Sequence, residues 1–173
     1  YVGDSNSVSE LLNDRKLDLA VTSEYRIATY IHRKKLGVNR HGWFVCLPYK
    51  VGSTLSREEI ATHHLIITPP PSRHNARVLQ WFGEAGVVPQ RVSICNDLST
   101  TIHMVLSGIG IACLPTRVMH EYVVAGAVRE LSVPPPVPGY DVWACYQEER
   151  PRSGLKQVVD LIKEIITEHQ LYV

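Results

Sequence analysis

The chain has 173 residues, of which 45% are hydrophobic and 20% are charged. These proportions are typical of a globular protein and exclude an intrinsically disordered chain. Lys and Arg total 18 and Asp and Glu total 17, which gives a net charge of +1. Because binding to phosphates or anionic lipids needs clustered excess cations, this near balance argues against a nucleic-acid surface and against a membrane-surface protein.

The four cysteines predict a reducing environment. They stand at Cys46, Cys95, Cys113 and Cys145, with no C-x-x-C pair, and three of them lie in apolar runs. This pattern favours buried, reduced thiols. No run approaches the ~18 apolar residues of a membrane span, and the first residues form no basic and apolar leader. We therefore expect a soluble, cytoplasmic protein.

The first 50 residues predict a short helix and two strands. Polar residues 4–7 mark a helix start, with Ser7 and Glu10 as a capping box, and the helix ends near Arg15. Residues 17–22 and 42–47 form apolar runs typical of strands. Residues 25–41 fit either element type. They include the basic run 32–35, which we interpret as a solvated face, with DNA or a partner as the alternative.

The middle and the end of the chain alternate strands and helices. A capping box of Ser56 and Glu59 opens a helix before strand 65–67, and Ser72 opens the next helix. Strand 92–94 leads through Asn96-Asp97 to a helix that ends at Gly108. Further strands are predicted at 109–114, 127–132 and 141–146, with helices at 116–123 and 155–166. This alternation predicts an α/β fold with mostly parallel sheets.

Common enzyme motifs are absent from the sequence, which contains no G-x-S-x-G, G-x-x-x-x-G-K-[ST] or H-E-x-x-H. The pair Gly108 and Gly110 follows a helix and precedes a strand, the reverse of a dinucleotide site, and is interpreted as a helix C-cap with close packing. The adjacent His63 and His64 point apart in any regular element, so they form a poor metal site. We predict no catalytic residue, cofactor or metal.

Several predicted helices begin with polar residues, at 5–7, 72, 96–100 and 116. In an open parallel sheet such helix starts meet at one edge, where free N–H groups and a partial positive charge can bind a small polar or anionic molecule. The alternative is that each residue is only an N-cap. Arg73, directly after Ser72, is a hypothetical counter-ion for a carboxylate.

Three segments resemble the LysR-type transcriptional regulators. They are Asn6 to Val21 (NSVSELLNDRKLDLAV), Phe82 to Pro89 (FGEAGVVP) and Met104 to Pro115 (MVLSGIGIACLP). They follow one another in the order of that family's effector-binding domain, and the resemblance covers nearly the whole chain. Arg15 and Lys16 depart from the usual pattern of the first segment.

The resemblance implies two Rossmann-like α/β lobes joined by two crossing strands, as in type 2 periplasmic binding proteins. The first lobe then takes residues 1–39 and 147–173, and the second takes 40–146, with crossings near Asn39-Arg40 and Tyr146-Gln147. The resemblance further implies that this domain is truncated at its N-terminus and that the family's DNA-binding winged helix-turn-helix is absent from this chain.

The family's effector, a small-molecule inducer, is implied to sit between the lobes. Two of the implied contacts, Ser5 and Ser23, lie in the first lobe. The others lie in the second lobe and are Pro70, Ser72, Asn96, Thr100 and Pro115, beside the Arg73 hypothesised above.

The implied function is a non-enzymatic effector-binding and oligomerisation domain. The inducer, a carboxylate or other anion in our hypothesis, shifts the lobe geometry and so controls DNA binding by the absent domain. The family implies homodimers that pair to homotetramers, with no membrane partner. Two alternatives stay open: a solute-binding protein of a transport system, and a small α/β enzyme that uses the same crevice.

Overall fold

The computed structural model describes residues 1, 3–23, 26–147, 154–169 and 171–172. Its helices are α1 (Ser5–Asn13), α2 (Arg57–Thr62), α3 (Arg73–Gly83), α4 (Leu98–Leu106), α5 (Thr116–Val124) and α6 (Leu155–Glu168). Its strands are β1 (Leu19–Thr22), β2 (Ile31–Asn39), β3 (His41–Cys46), β4 (His64–Ile67), β5 (Arg91–Ile94), β6 (Ile111–Pro115), β7 (Val128–Leu131) and β8 (Tyr140–Gln147). None of the described helices has the length and apolar character that a membrane crossing requires.

The chain forms two compact units. The first contains Tyr1–Arg40 and Gly139–Val173, and the second contains His41–Pro138. The boundary predicted near Tyr146-Gln147 is therefore corrected. Strand β8 pairs with β2 from Tyr140 to Gln147, and this ladder holds the whole strand in the first unit.

The first unit contains a three-stranded sheet in the order β1-β8-β2. Both pairs are antiparallel, so the prediction of a parallel sheet is wrong here. Helix α1 begins one residue after Asp4, whose carboxylate accepts hydrogen bonds from the backbone N–H groups of Asn6 and Ser7. Asp4 is thus the N-cap, and the predicted capping box of Ser7 and Glu10 is wrong, because Ser7 lies inside the helix and donates its hydroxyl to Asp4.

The segment with the ambiguous pattern contains β2, and the basic run lies on this strand. Lys34 pairs with Asp160 of α6 at 2.8 Å, and Lys35 pairs with Asp141 of β8 at 2.6 Å. The guanidinium of Arg33 lies over the ring of Trp143, 5.6 Å from its centre. Arg33, Lys34 and Lys35 therefore each interact with a residue of the first unit.

The second unit contains a five-stranded sheet in the order β5-β4-β6-β3-β7. Strand β4 is parallel to both β5 and β6. Strand β3 is antiparallel to β6 and to β7, which again departs from the mostly parallel prediction. Alternation of helices and strands does not encode strand direction, and β3 starts at the edge where β6 ends, with His41 opposite Pro115.

Apolar clusters cover both faces of this sheet, because adjacent residues of a strand point to opposite sides. Trp43 packs with Trp81 and Phe82 of α3, with ring centres 5.6 and 5.8 Å apart. Phe44 packs on the other side in a cluster with residues of α4 and α5. Both faces are buried, which explains the continuous apolar runs in the sequence.

The glycine pair 108 and 110 has the predicted structural role. Gly108 follows α4 with φ +74°, a left-handed conformation that favours glycine at a helix end, and its N–H donates to the carbonyl of Val105. A Cβ on Gly110 would collide with the carbonyl oxygen of His64 in β4. The pair therefore ends a helix and allows two strands to approach closely.

Candidate functional site

Three parallel strands of the second unit end at the same edge of the sheet. Strand β4 ends opposite the end of β5, with Ile67 beside Ile94, and β6 lies on the other side of β4. Each of these strands is followed by a helix, α3, α4 or α5. Three helices therefore begin at this edge of the sheet, where the first backbone N–H groups of each helix have no partner within the helix.

The turn between β4 and α3 is fixed by hydroxyl and amide groups. The Ser72 hydroxyl accepts from the backbone N–H of Asn75 and donates to Thr68 Oγ1, each at 3.4 Å. The buried side chain of Asn75 donates from Nδ2 to the carbonyl oxygen of Thr68 at 2.7 Å. Ser72 is thus the predicted N-cap, in a rigid turn that holds the first residues of α3 in place.

Arg73 and Pro70 flank this cap. Arg73 is the first residue of α3 and is half-buried, while Pro70 is exposed in the turn before it. The structure thus brings a guanidinium, a hydroxyl and a helix N-terminus into one short segment. Such a set suits an anionic ligand, since its groups are donors or cations.

The start of α4 is less open to an anion. Its N-cap is Asp97, whose carboxylate accepts from the backbone N–H of Thr100 at 2.7 Å. The hydrogen bonds from Thr100, first its side chain and then its N–H, lower the pKa of Asp97. Asn96 and Thr100 are exposed beside this carboxylate. Their hydroxyl and amide groups suit a neutral polar part of a ligand better than its charge.

Pro115 is both the last residue of β6 and the N-cap of α5. It is half-buried and supplies no side-chain hydrogen bond to the helix. Because His41 pairs with Pro115, the start of β3 lies at the same sheet edge as the end of β6.

The two residues predicted in the first unit lie together. Ser5, the first residue of α1, and Ser23, directly after β1, are half-buried and their Oγ atoms are 3.1 Å apart. A hydroxyl pair of this kind can donate and accept at once, which suits a polar ligand atom.

Sequence reasoning missed two histidines at the edge of the second sheet. The rings of His41 and His74 have centres 4.9 Å apart. His74 donates from Nε2 to the carbonyl oxygen of Cys113 at 2.9 Å, and burial lowers its pKa, which favours the neutral ring. The two residues are remote in the sequence and belong to no motif, so only the fold could reveal the pair.

His63 and His64, which are adjacent in the sequence, contact different residues. His64 Nε2 lies 2.8 Å from the Ser93 hydroxyl, and His63 Nδ1 lies 3.5 Å from the hydroxyl of Tyr49. No group of three or more metal-ligating side chains is found among the described residues.

Comparison with known proteins identifies the family. The family model for the LysR substrate binding domain matches residues 1–166. Among curated proteins, the HTH-type transcriptional regulator CzcR of Bacillus anthracis is 27% identical over 81 residues. That alignment covers 47% of this chain but only 28% of CzcR, so the chain matches little more than a quarter of this regulator's length.

Solved structures agree in fold. The effector binding domain of BenM with its effector benzoate superposes with a TM-score of 0.78 at 13% identity, covering 100% of this chain and 80% of that one. The effector binding domain of QuiR in complex with shikimate gives a TM-score of 0.75 at 18% identity, with coverages of 99% and 81%. At these identities the likeness shows the type 2 periplasmic-binding-protein-like fold. With the family model covering nearly its full length, the chain belongs to the LysR substrate binding domain family.

Proposed function

We propose that this chain is the effector-binding domain of a LysR-type transcriptional regulator and that it binds a small anionic inducer. The observation that carries the proposal is the shared edge of β4, β5 and β6, from which three helix starts and their polar residues project. The transport alternative finds no support in the family match, which is to a domain of regulators.

The proposed ligand is a small carboxylate. Arg73, the Ser72 hydroxyl and the N-terminus of α3 are donor or cationic groups in one segment. The relatives with bound molecules contain benzoate and shikimate, which both carry a carboxylate. In this proposal Pro70 and Pro115 shape the site, and Asn96 and Thr100 contact uncharged parts of the inducer. The Ser5 and Ser23 hydroxyls are the proposed contacts from the first unit.

Regulation follows from differential binding. An inducer that binds one conformation of the domain more tightly shifts the population toward it. A coupling free energy of ~1–3 kcal/mol is enough to change the affinity of a regulator for its DNA several-fold.

Because this chain has a net charge of +1, we assign the DNA contact to another part of the regulator. As such a regulator acts on the bacterial chromosome, we propose a cytoplasmic location.

The first experiment is a thermal-shift screen of small carboxylates, with benzoate and shikimate included and benzyl alcohol as the uncharged control. Because a ligand at 100 times its Kd stabilises the folded state by ~2.7 kcal/mol, a true ligand raises Tm clearly. A panel in which no carboxylate raises Tm more than its uncharged analogue contradicts the proposal.

Calorimetry on variants then tests the site. With the carboxylate found in the screen, we expect Arg73→Ala and Ser72→Ala to weaken binding at least tenfold, because the first removes the counter-ion and the second removes the cap that holds the start of α3 in place. The matched controls are Arg91→Ala and Ser107→Ala, both exposed and remote from α3 in sequence. Equal affinity of the Arg73→Ala protein and the parent contradicts the assignment.

Two further parts of the proposal concern assembly and catalysis. Helix α6 exposes Val158, Leu161 and Ile165, an apolar stripe at helical spacing that supports a homo-oligomer, a homodimer or homotetramer. Light scattering should give a mass above that of a monomer, and a monodisperse monomer at high concentration contradicts the proposed oligomer.

We also propose that the domain is not an enzyme. The bound carboxylate should then be recovered unchanged after prolonged incubation, as NMR of the ligand can verify.

A further inference from the structure

The second unit contains a cavity of about 500 Å³ beside the end of β7. Its walls come from the start of β3, the end of β7 and the proline-rich segment that follows. Its lining residues include His41, Gly42, Trp43, Glu130, Pro134 and Pro136. Most of the side chains that line the cavity are apolar, and none belongs to the residues proposed above for the inducer.

One carboxylate lines this cavity without a partner of opposite charge. Glu130 makes no side-chain hydrogen bond or ion pair with any residue that the structure describes. Its carboxyl group lies against Gly42, and a side chain at position 42 would occupy the place of its Oε1 atom. The absence of a side chain at Gly42 therefore provides the space in which this carboxylate lies.

The neighbouring cation is committed elsewhere. Arg129, the preceding residue of β7, donates to the backbone carbonyl oxygens of Tyr49, Val51 and Gly52. Glu130 is an exposed residue, and partial burial of its carboxyl group at the cavity raises its pKa. A cation bound beside this carboxylate would favour its charged form.

We propose that this cavity binds a small organic cation, an ammonium group on an apolar body, with the Glu130 carboxylate as its counter-ion. The ammonium group pairs with Glu130, while the apolar body contacts the exposed rings of Pro134 and Pro136. A metal ion fits less well, because Ca²⁺ and Mg²⁺ need about six oxygen ligands and the cavity lining offers one carboxylate. An anion is repelled by that carboxylate.

Benzylammonium is the probe, and its neutral and anionic controls are benzyl alcohol and benzoate. Binding is followed by NMR of the indole N–H groups, because Trp43 lines the cavity, whereas Trp143 belongs to the first unit and serves as the internal reference. We expect the Trp43 resonance to shift with benzylammonium. Benzyl alcohol should bind at least tenfold more weakly, because it lacks the charge that Glu130 recognises.

Glu130→Gln is the decisive variant, since it keeps the shape of the side chain and removes its charge. Its affinity for benzylammonium should fall at least tenfold, whereas Glu121→Gln, an exposed acid on α5, should bind as the parent does. Equal binding by the parent and Glu130→Gln overturns the proposal, as does the absence of a Trp43 shift at millimolar benzylammonium.

Acidification provides a second measurement on the folded parent. Protonation of Glu130 removes the counter-ion, so the affinity for benzylammonium should fall as the pH is lowered. His41 also lines the cavity and gains charge on acidification, but it is present in Glu130→Gln as well. The parent must therefore lose more affinity than Glu130→Gln over the same pH range. Equal losses in the two proteins contradict the role of Glu130.

Discussion

The imidazole of His74 donates a hydrogen bond from Nε2 to the carbonyl oxygen of Cys113, 2.9 Å away. The bond joins α3 to β6, two elements that carry proposed effector-contacting residues. Since a carbonyl oxygen can only accept, the bond fixes the tautomer with the proton on Nε2. The ring of His41 lies against His74, with ring centres 4.9 Å apart, and completes the small cluster at this sheet edge.

We predict that His74 makes the protein less stable at acidic pH. Burial lowers its pKa below the ordinary value of 6.5; the hydrogen bond to Cys113 opposes this shift in part, and the charge of Arg77 adds a smaller lowering. As the pH falls below about 6.5, the unfolded chain gains a proton that the folded protein resists, so stability is lost until the folded-state pKa is passed. The free energy of unfolding changes by at most about 1.4 kcal/mol per pH unit from this group.

Urea unfolding at pH 7.5 and pH 5.5 measures this effect. His74→Gln should show a smaller loss of stability between the two pH values than the parent, because it has no proton to gain. His103→Gln, an exposed histidine of α4, is the matched control and should keep the parent's loss. If His74→Gln and the parent lose the same free energy, the prediction is wrong.

Gly110→Ala should destabilise the second unit. The new methyl group would collide with the backbone of His64, which cannot move without disturbing the pairing of β4 and β6. Overpacking of this kind costs about 1–3 kcal/mol. Gly83→Ala, at the end of α3 with no atom within 4 Å of the new Cβ, should instead stabilise by about 0.5–1 kcal/mol. Chemical unfolding of both variants should give changes of opposite sign.

Leu65→Ala should strongly destabilise the protein. Leu65 lies on β4, is fully buried and belongs to the cluster that contains Trp43 and Trp81. Its truncation should lower the free energy of unfolding by about 2–5 kcal/mol, from lost burial and a remaining cavity. The control is Leu79→Ala on α3, since Leu79 is 44% exposed. Comparable losses in the two variants would mean that this core is not packed as described.

The four thiols should differ in reactivity. Cys46, Cys113 and Cys145 are buried, as their apolar neighbours in the sequence predict, and Cys95 is half-buried. Burial raises the pKa of Cys145 to about 11 and raises that of Cys113 further, so neither forms the reactive thiolate at neutral pH.

A disulfide reagent should therefore modify one thiol quickly in the folded protein and all four in urea. The fast reaction should disappear in Cys95→Ser, because Cys95 is the most accessible of the four. A fast phase that persists in this variant would show that a buried cysteine is exposed in solution.

The sequence by itself determined the local features of this protein. The caps at Ser56, Ser72 and Asp97 and the helix end at Gly108 were predictable, because capping and left-handed conformations depend on residues close together in the chain. The LysR resemblance was equally readable, since its three segments are contiguous runs. Even so, the cap of α1 was misplaced, because several polar side chains compete near one helix start.

Only the tertiary structure decided strand direction, the unit boundary at Gly139 and the contacts between remote residues. The antiparallel pairing of β8 with β1 and β2 depends on which segments meet, and apolar runs look the same in either direction. The His41–His74 pair and the position of Glu130 against Gly42 likewise arise from strand register. Such groups become neighbours through the pairing of distant segments, whose free energy is spread over the whole sheet and leaves no local pattern in the sequence.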